Sequence, residues 1–193
     1  MNGLINRAIQ CFLRDGWGGA AWADTARAAG APVSGFEPLL DYDPGLTGRL
    51  LAAAAARLDR DPDCLLEDLG TYLVSHPSRA GVRRLWRFGG PDFREFLLSL
   101  EDLPARVRLA LPDLVLPSMQ VRQEGTVWHL RLGPGLPGMV AVAIGLLRAM
   151  ADDYGALVLL GAAAEAEDGS AEVTVRLLDE GFAMGRDFVL GRA

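Results

Sequence analysis

The side chains best suited to chemistry in this sequence are His76 and His129, its only two histidines. His129 lies in Val127-Trp128-His129-Leu130-Arg131-Leu132, whose alternation predicts a strand. Val127, His129 and Arg131 then share one face, and Trp128, Leu130 and Leu132 the other. Either face suits a core. His129 beside Arg131 could line a pocket for an anionic group; a half-buried structural histidine is the competing reading. His76 precedes Pro77 at a helix end, where an imidazole caps carbonyls and, when charged, complements the helix dipole.

Other constellations have a bland reading beside the chemical one. Gly133-Pro134-Gly135-Leu136-Pro137-Gly138 spells GxGxxG between a predicted strand and a predicted helix. In a dinucleotide fold such glycines bring backbone against a pyrophosphate. Here too few strands follow, and the two prolines remove donors a phosphate cradle uses, so a strand-to-helix turn is expected. Arg79, Arg83, Arg84 and Arg87 cluster beside Trp86, as an anion site or, the reading favoured here, a solvated face. The adjacent pairs Asp152-Asp153 and Glu101-Asp102 point in different directions on a helix and suit surface capping better than acid–base work. Cys11 and Cys64 form no CxxC pair, and no GxSxG elbow occurs. The chain has no lysine, which removes Schiff-base chemistry and a phosphate-binding P-loop. No catalysis is expected.

These residues need a scaffold, and the chain is long enough to bury one core. Half of its residues are apolar and 23% charged, a balance that folds rather than stays disordered. A formal charge of −6 disfavours nucleic acid and anionic membrane. The longest apolar run, Met139 to Leu147, is too short to span a bilayer, and the N-terminus lacks the regions of a signal peptide. A cytoplasmic location is expected.

The first part reads as successive helices. One runs from Leu4 to about Leu13, broken by Gly16-Trp17-Gly18-Gly19, and a second from Ala20 to Ala29. Further helices span Leu46 to Leu58, from Asp61-Pro62 to His76-Pro77, Ser78 to Phe88, Asp92 to Ser99 and Pro104 to Leu111. After Pro112 the pattern changes. Leu114 to Val121 and Thr126 to Leu132 read as strands, Pro137 to Tyr154 as a long helix, and Ala156 to Ala164 and Glu172 to Leu177 as a strand pair. Helices, two strands, helix, two strands is an α+β order. A single domain over residues 1–193 is expected, with a helical subregion to about 111 and a sheet-containing subregion from about 112.

Several stretches together resemble the haem nitric-oxide/oxygen-binding (H-NOX) family over about residues 1–178. They are Met1-Asn2-Gly3-Leu4-Ile5-Asn6, Gly19 and Trp22, Tyr42-Asp43, Leu65-Leu66-Glu67-Asp68-Leu69-Gly70, Phe96 to Leu103 with Pro112-Asp113-Leu114, and Gly145-Leu146-Leu147. The resemblance implies a helical half packed on a small antiparallel four-stranded sheet with a long late helix. It also implies haem held by a proximal histidine, a Tyr-x-Ser-x-Arg propionate clamp, and a kinase or cyclase partner that reads the ligand state.

This sequence departs from that pattern at both haem contacts. Pro104 stands at the ligand position and cannot coordinate iron, and the clamp falls on His129 to Gly133, with Arg131 as the remaining cation. The resemblance therefore implies a stand-alone, non-catalytic sensor or regulatory domain that signals in trans and binds a small apolar or anionic ligand or a protein partner. An alternative is a gas sensor whose haem takes another axial ligand: His129, His76, Cys11 or Met119. A third is an enzyme of a related small-molecule-binding fold.

Overall fold

The computed structural model describes residues 3–112, 114–135, 137–162 and 166–187. Among these, seven α-helices and a four-stranded antiparallel sheet make the α+β order that the sequence predicts.

α1 (Gly3–Ala29) joins the first two expected helices across a kink at Gly18, whose φ of 85° and ψ of 171° leave the helical region. Such a φ suits glycine, so the glycine break is a bend rather than a loop. α2 (Leu46–Leu58) ends on Asp59 in the left-handed conformation. α3 (Pro62–Ser75) starts where Asp61 Oδ1 accepts from the Asp63 and Cys64 amides, with Pro62 in the first turn. A 3-10 turn (Pro77–Arg79) leads into α4 (Ala80–Arg87). α5 (Phe93–Ser99) is capped by Asp92, whose carboxylate accepts from the Glu95 amide, and α6 (Leu103–Ala110) carries Pro104 in its first turn.

β1 (Met119–Glu124) begins later than expected, because Pro117 offers no ladder N–H. β2 (Val127–Leu132), α7 (Met139–Tyr154), β3 (Leu157–Ala162) and β4 (Ala171–Asp179) follow. The tail of the expected third strand, Ala163-Ala164, lies outside the described residues, as do Met1-Asn2, Asp113 and Leu136.

Two compact units, Met1–Leu65 and Leu66–Ala193, divide within α3. The first is built on α1 and α2. Ile9, Phe12, Leu13, Trp22, Ala26, Leu50 and Ala54 are buried there, together with Asn6, Gln10, Thr25 and Thr47. The buried amides have work to do. Gln10 Oε1 accepts from the Phe36 amide at 3.1 Å, and Asn6 Oδ1 accepts from Thr47 Oγ1 at 2.6 Å.

The second unit holds the sheet, in the order β1-β2-β4-β3. Trp128, Leu130 and Leu132 of β2 and Val173, Val175 and Leu177 of β4 share its inner face. There they pack with Phe93, Phe96 and Leu97 of α5, Leu103 and Val107 of α6, and Leu147 and Met150 of α7. Removing this apolar face from water stabilises the unit by roughly 25 cal/mol per Å² buried. The apolar alternates of β4 pair with Trp128 and Leu130 of β2, so both strands turn the same apolar face inward and His129 and Arg131 lie on the other side.

Candidate functional site

The expected site residues fall on opposite sides of the sheet or at its margin. Pro104 is partly buried at the start of α6, between the fully buried Leu103 and the exposed Ala105. Its neighbourhood is tied down on both sides. Arg106 Nη2 donates to the Ser99 carbonyl at 2.9 Å, linking α6 to α5, and Glu101 Oε1 accepts from the Val121 amide of β1 at 2.8 Å. Pro104 thus occupies a fixed position and presents only a pyrrolidine ring.

His129 lies on the outer sheet face. Its Nδ1 is 2.8 Å from Glu172 Oε1 on β4, and its Nε2 is 3.6 Å from Glu124 Oε2 on β1. Cross-strand register explains the arrangement: His129 stands opposite Thr174 and Arg122, with the two glutamates diagonal to it. Both ring nitrogens therefore face carboxylates, 18% of the side chain reaches solvent, and the apolar core lies on the far side of the strand.

Arg131 points to a different group. Its Nη2 donates to Asp168 Oδ2 at 2.8 Å and to Ser170 Oγ at 2.9 Å. Asp168 also accepts from the Ser170 amide and hydroxyl, and these hydrogen bonds hold its carboxyl below the usual range, the Ser170 hydroxyl contributing most. An open cleft of about 350 Å³ runs past Ser118, Gln120, Arg131, Pro134, Asp168 and Ser170. Arg131 lines this cleft, and His129 is not among its lining residues. The guanidinium fastens the turn before β4 onto β2.

The glycine segment after β2 turns the chain into α7. Gly138 sits at φ 80° as the N-cap, and a side chain there or at Gly133 would run into Leu66 or Ser118. The cavity beside it, bounded by Leu132, Gly133, Gly135, Gly138, Val140 and Gly169, holds about 130 Å³, below the roughly 300–1,000 Å³ typical of small-molecule sites. Neighbouring strands are antiparallel throughout, which is not the parallel sheet of a dinucleotide fold.

Two residues of the sequence pattern have a clear structural role. Gly70 of α3 and Gly145 of α7 let the two backbones meet: a Cβ at Gly70 would overlap the Val142 carbonyl, and one at Gly145 the Glu67 carbonyl. Thr71 Oγ1 donates to the Gly145 carbonyl across the same contact.

Sequence reasoning missed a node at the end of α7. Asp153, read as half of a surface pair, is only 1% exposed. Arg83 Nε donates to its Oδ1 at 2.7 Å, and Arg87 Nε lies 3.7 Å from Oδ2. Arg87 also stacks over the Tyr154 ring at 3.9 Å, and Tyr154 donates to the Gly90 carbonyl. Burial pushes the Tyr154 hydroxyl up to about 12. Two arginines of the α4 cluster therefore turn inward rather than forming a solvated face. The clue available in sequence is their i, i+4 spacing, which puts both on one side of the helix.

The comparisons with known proteins bear on this fold directly. The haem-NO-binding (HNOB) family profile matches residues 2–159. The chain belongs to the haem-NO-binding family. Solved H-NOX proteins share the fold. A mutant of the T. Tengcongensis H-NOX superposes with a TM-score of 0.78 at 14% identity, covering 93% of this chain and 99% of that one. The Fe(II) unliganded H-NOX protein from K. algicida gives 0.76 at 18%, covering 93% and 97%. Among curated sequences, Soluble guanylate cyclase 89Db of Drosophila melanogaster is 24% identical over 157 residues, 80% of this chain and 23% of that protein. Soluble guanylate cyclase gcy-31 of Caenorhabditis elegans is 25% identical over 134 residues, 68% and 19%. The chain spans about a fifth to a quarter of the length of these curated relatives.

The H-NOX family is one of sensor domains, and its name implies haem. The donor set of this chain tests that group. His129 is engaged by two glutamates on the outer face. His76 caps the 3-10 turn, with Nδ1 accepting from the Ser78 amide and lying 2.7 Å from Ser78 Oγ; its ring tilts against Tyr72. Neither imidazole joins the apolar core, and Pro104 has no donor atom. The side chains present do not fit an imidazole-ligated haem. Of the other expected donors, Met119 packs against the core of the second unit, and Cys11 is partly buried in the first. Among the described residues no cluster of three His, Cys, Asp or Glu forms a metal site, and no helix is long and apolar enough to cross a membrane.

Proposed function

We propose that this H-NOX domain is a regulatory binding module that does not hold haem through an imidazole. It acts without catalysis of its own, as one cytoplasmic domain, and passes the state of a bound ligand to a signalling partner of cyclase or kinase type. The observation that carries the reading is the placement of both histidines away from the packed core, with Pro104 at the position where the family resemblance puts the iron ligand. The guanylate cyclase relatives support a cyclase-type partner, since the matched region is a minor part of each. The ligand of this reading is a small apolar or anionic molecule, and Arg131 with its open cleft is the cation available to an anionic one.

The test is absorption spectroscopy of the purified chain with added haem, before and after nitric oxide. The reading expects no sharp one-to-one Soret band that depends on a histidine. A stoichiometric band that shifts with nitric oxide and disappears in His129→Ala or His76→Ala would overturn it. A band that survives both substitutions but is lost in Met119→Ala leaves the reading standing and assigns sulfur as the ligand.

A further inference from the structure

The two edges of the sheet are finished differently. β1, at one edge, reads Met-Gln-Val-Arg-Gln-Glu, and Gln120, Arg122 and Glu124 are exposed along it. Its outward Val121 amide is already taken by Glu101 Oε1. Charges and a side-chain cap of this kind are how natural sheets block edge-to-edge pairing. β3, at the other edge, reads Leu-Val-Leu-Leu-Gly-Ala, with no charge and no proline. Its inner residues Val158 and Leu160 pack on the core, while Leu157 and Leu159 stand 36% and 56% exposed, beside Leu178 of β4 at 51%. Among the described residues, no group outside the sheet is hydrogen-bonded to the backbone of β3.

We propose that the open edge of β3 is a self-association surface on which a second copy of this chain pairs its own β3, antiparallel about a two-fold axis, to join the two sheets. A second copy fits for two reasons. With β1 capped, head-to-tail β1-to-β3 pairing is blocked, so pairing is bare edge to bare edge and closes as a dimer rather than growing into a fibre. The charges also permit it. With Leu159 opposite Leu159 of the other copy, Val158 meets Leu160 on the inner face and Leu157 meets Gly161 on the outer. Arg176, which flanks Leu159 on β4, is then three strand spacings from its counterpart, about 14 Å. That exceeds the Debye length of about 8 Å at physiological salt. β3 itself brings no charged residue into the contact.

Sedimentation equilibrium and concentration-dependent hydrogen exchange on the full chain test this. Wild type should gain mass toward two chains as concentration rises, and amides of 157–162 should exchange more slowly. Leu159→Lys sets two like charges side by side at the two-fold and should weaken the dimer roughly tenfold or more. Gln120→Lys on β1 should leave the dimer unchanged. A single-chain mass at all concentrations, a dimer indifferent to Leu159→Lys, or one lost in Gln120→Lys would each overturn the proposal. So would slowing at β3 that required an added extended peptide, which would give the edge to a segment of another protein. The exchange measurement on wild type stands even where a variant fails to fold.

Discussion

Trp128 and His129 are neighbours in sequence and lie on opposite faces of the same strand, and their surroundings have little in common. Trp128 is 3% exposed in an all-apolar layer completed by three helices. His129 sits among glutamates, a threonine and arginines on a face open to water. The lesson concerns where chemistry is possible. The inner face offers apolar contact and thioethers but no imidazole, whereas the outer face offers titratable groups with no enclosed space around them. A histidine-ligated cofactor needs both on one side.

The comparison can be broken by substitution. Trp128→Ala removes a large side chain from the packed layer and should cost about 3–5 kcal/mol by chemical denaturation. His129→Ala breaks partly solvated contacts with Glu172 and Glu124 and should cost about 1 kcal/mol or less. Equal losses would mean that the outer face is not the solvent side. Between these lies Asp153→Ala, which strands Arg83 and Arg87 without their carboxylate; a loss of about 3 kcal/mol is expected for a broken buried pair.

Two pH effects sharpen the same contrast. Asp168 is depressed in the folded chain, so its contribution is present above the ordinary carboxylate value near 4 and is lost as pH falls through the lower folded value. Asp168→Asn should flatten the acid limb of the stability curve. Tyr154 is shifted the other way, to about 12. The unfolded chain ionises near 10 while the folded one holds its proton, so stability falls as pH rises between the two values. An ultraviolet titration of the three tyrosines should show one resisting to about 12, and Tyr154→Phe should remove that step.

Much of this fold was legible because local chemistry declared it. Asp61-Pro62 starts α3, Asp92 caps α5, and the alternation in 127–132 defines β2 to within a residue. Other features depend on partners far away in sequence. The side of β2 that faces inward carries Trp128, Leu130 and Leu132, and Val173 and Val175 of β4 pair with it to extend the same apolar face. Asp153 looked like a surface residue because its partner Arg83 is 70 residues distant. Pro117 delays β1 beyond what apolar periodicity indicates. In the site, the identity of Pro104 and the shared face of His129 and Arg131 were readable from sequence, while their different partners, Glu172 for His129 and Asp168 with Ser170 for Arg131, depend on residues about 40 positions away.

The most direct test of the claim that no imidazole serves the core is one comparison of spectra. Wild type and a variant carrying His76→Ala and His129→Ala together are each titrated with ferrous haem, then exposed to nitric oxide. Superimposable spectra are expected at every step, whether or not haem is retained. A Soret band present in the wild type and shifted or missing in the double variant would contradict the claim.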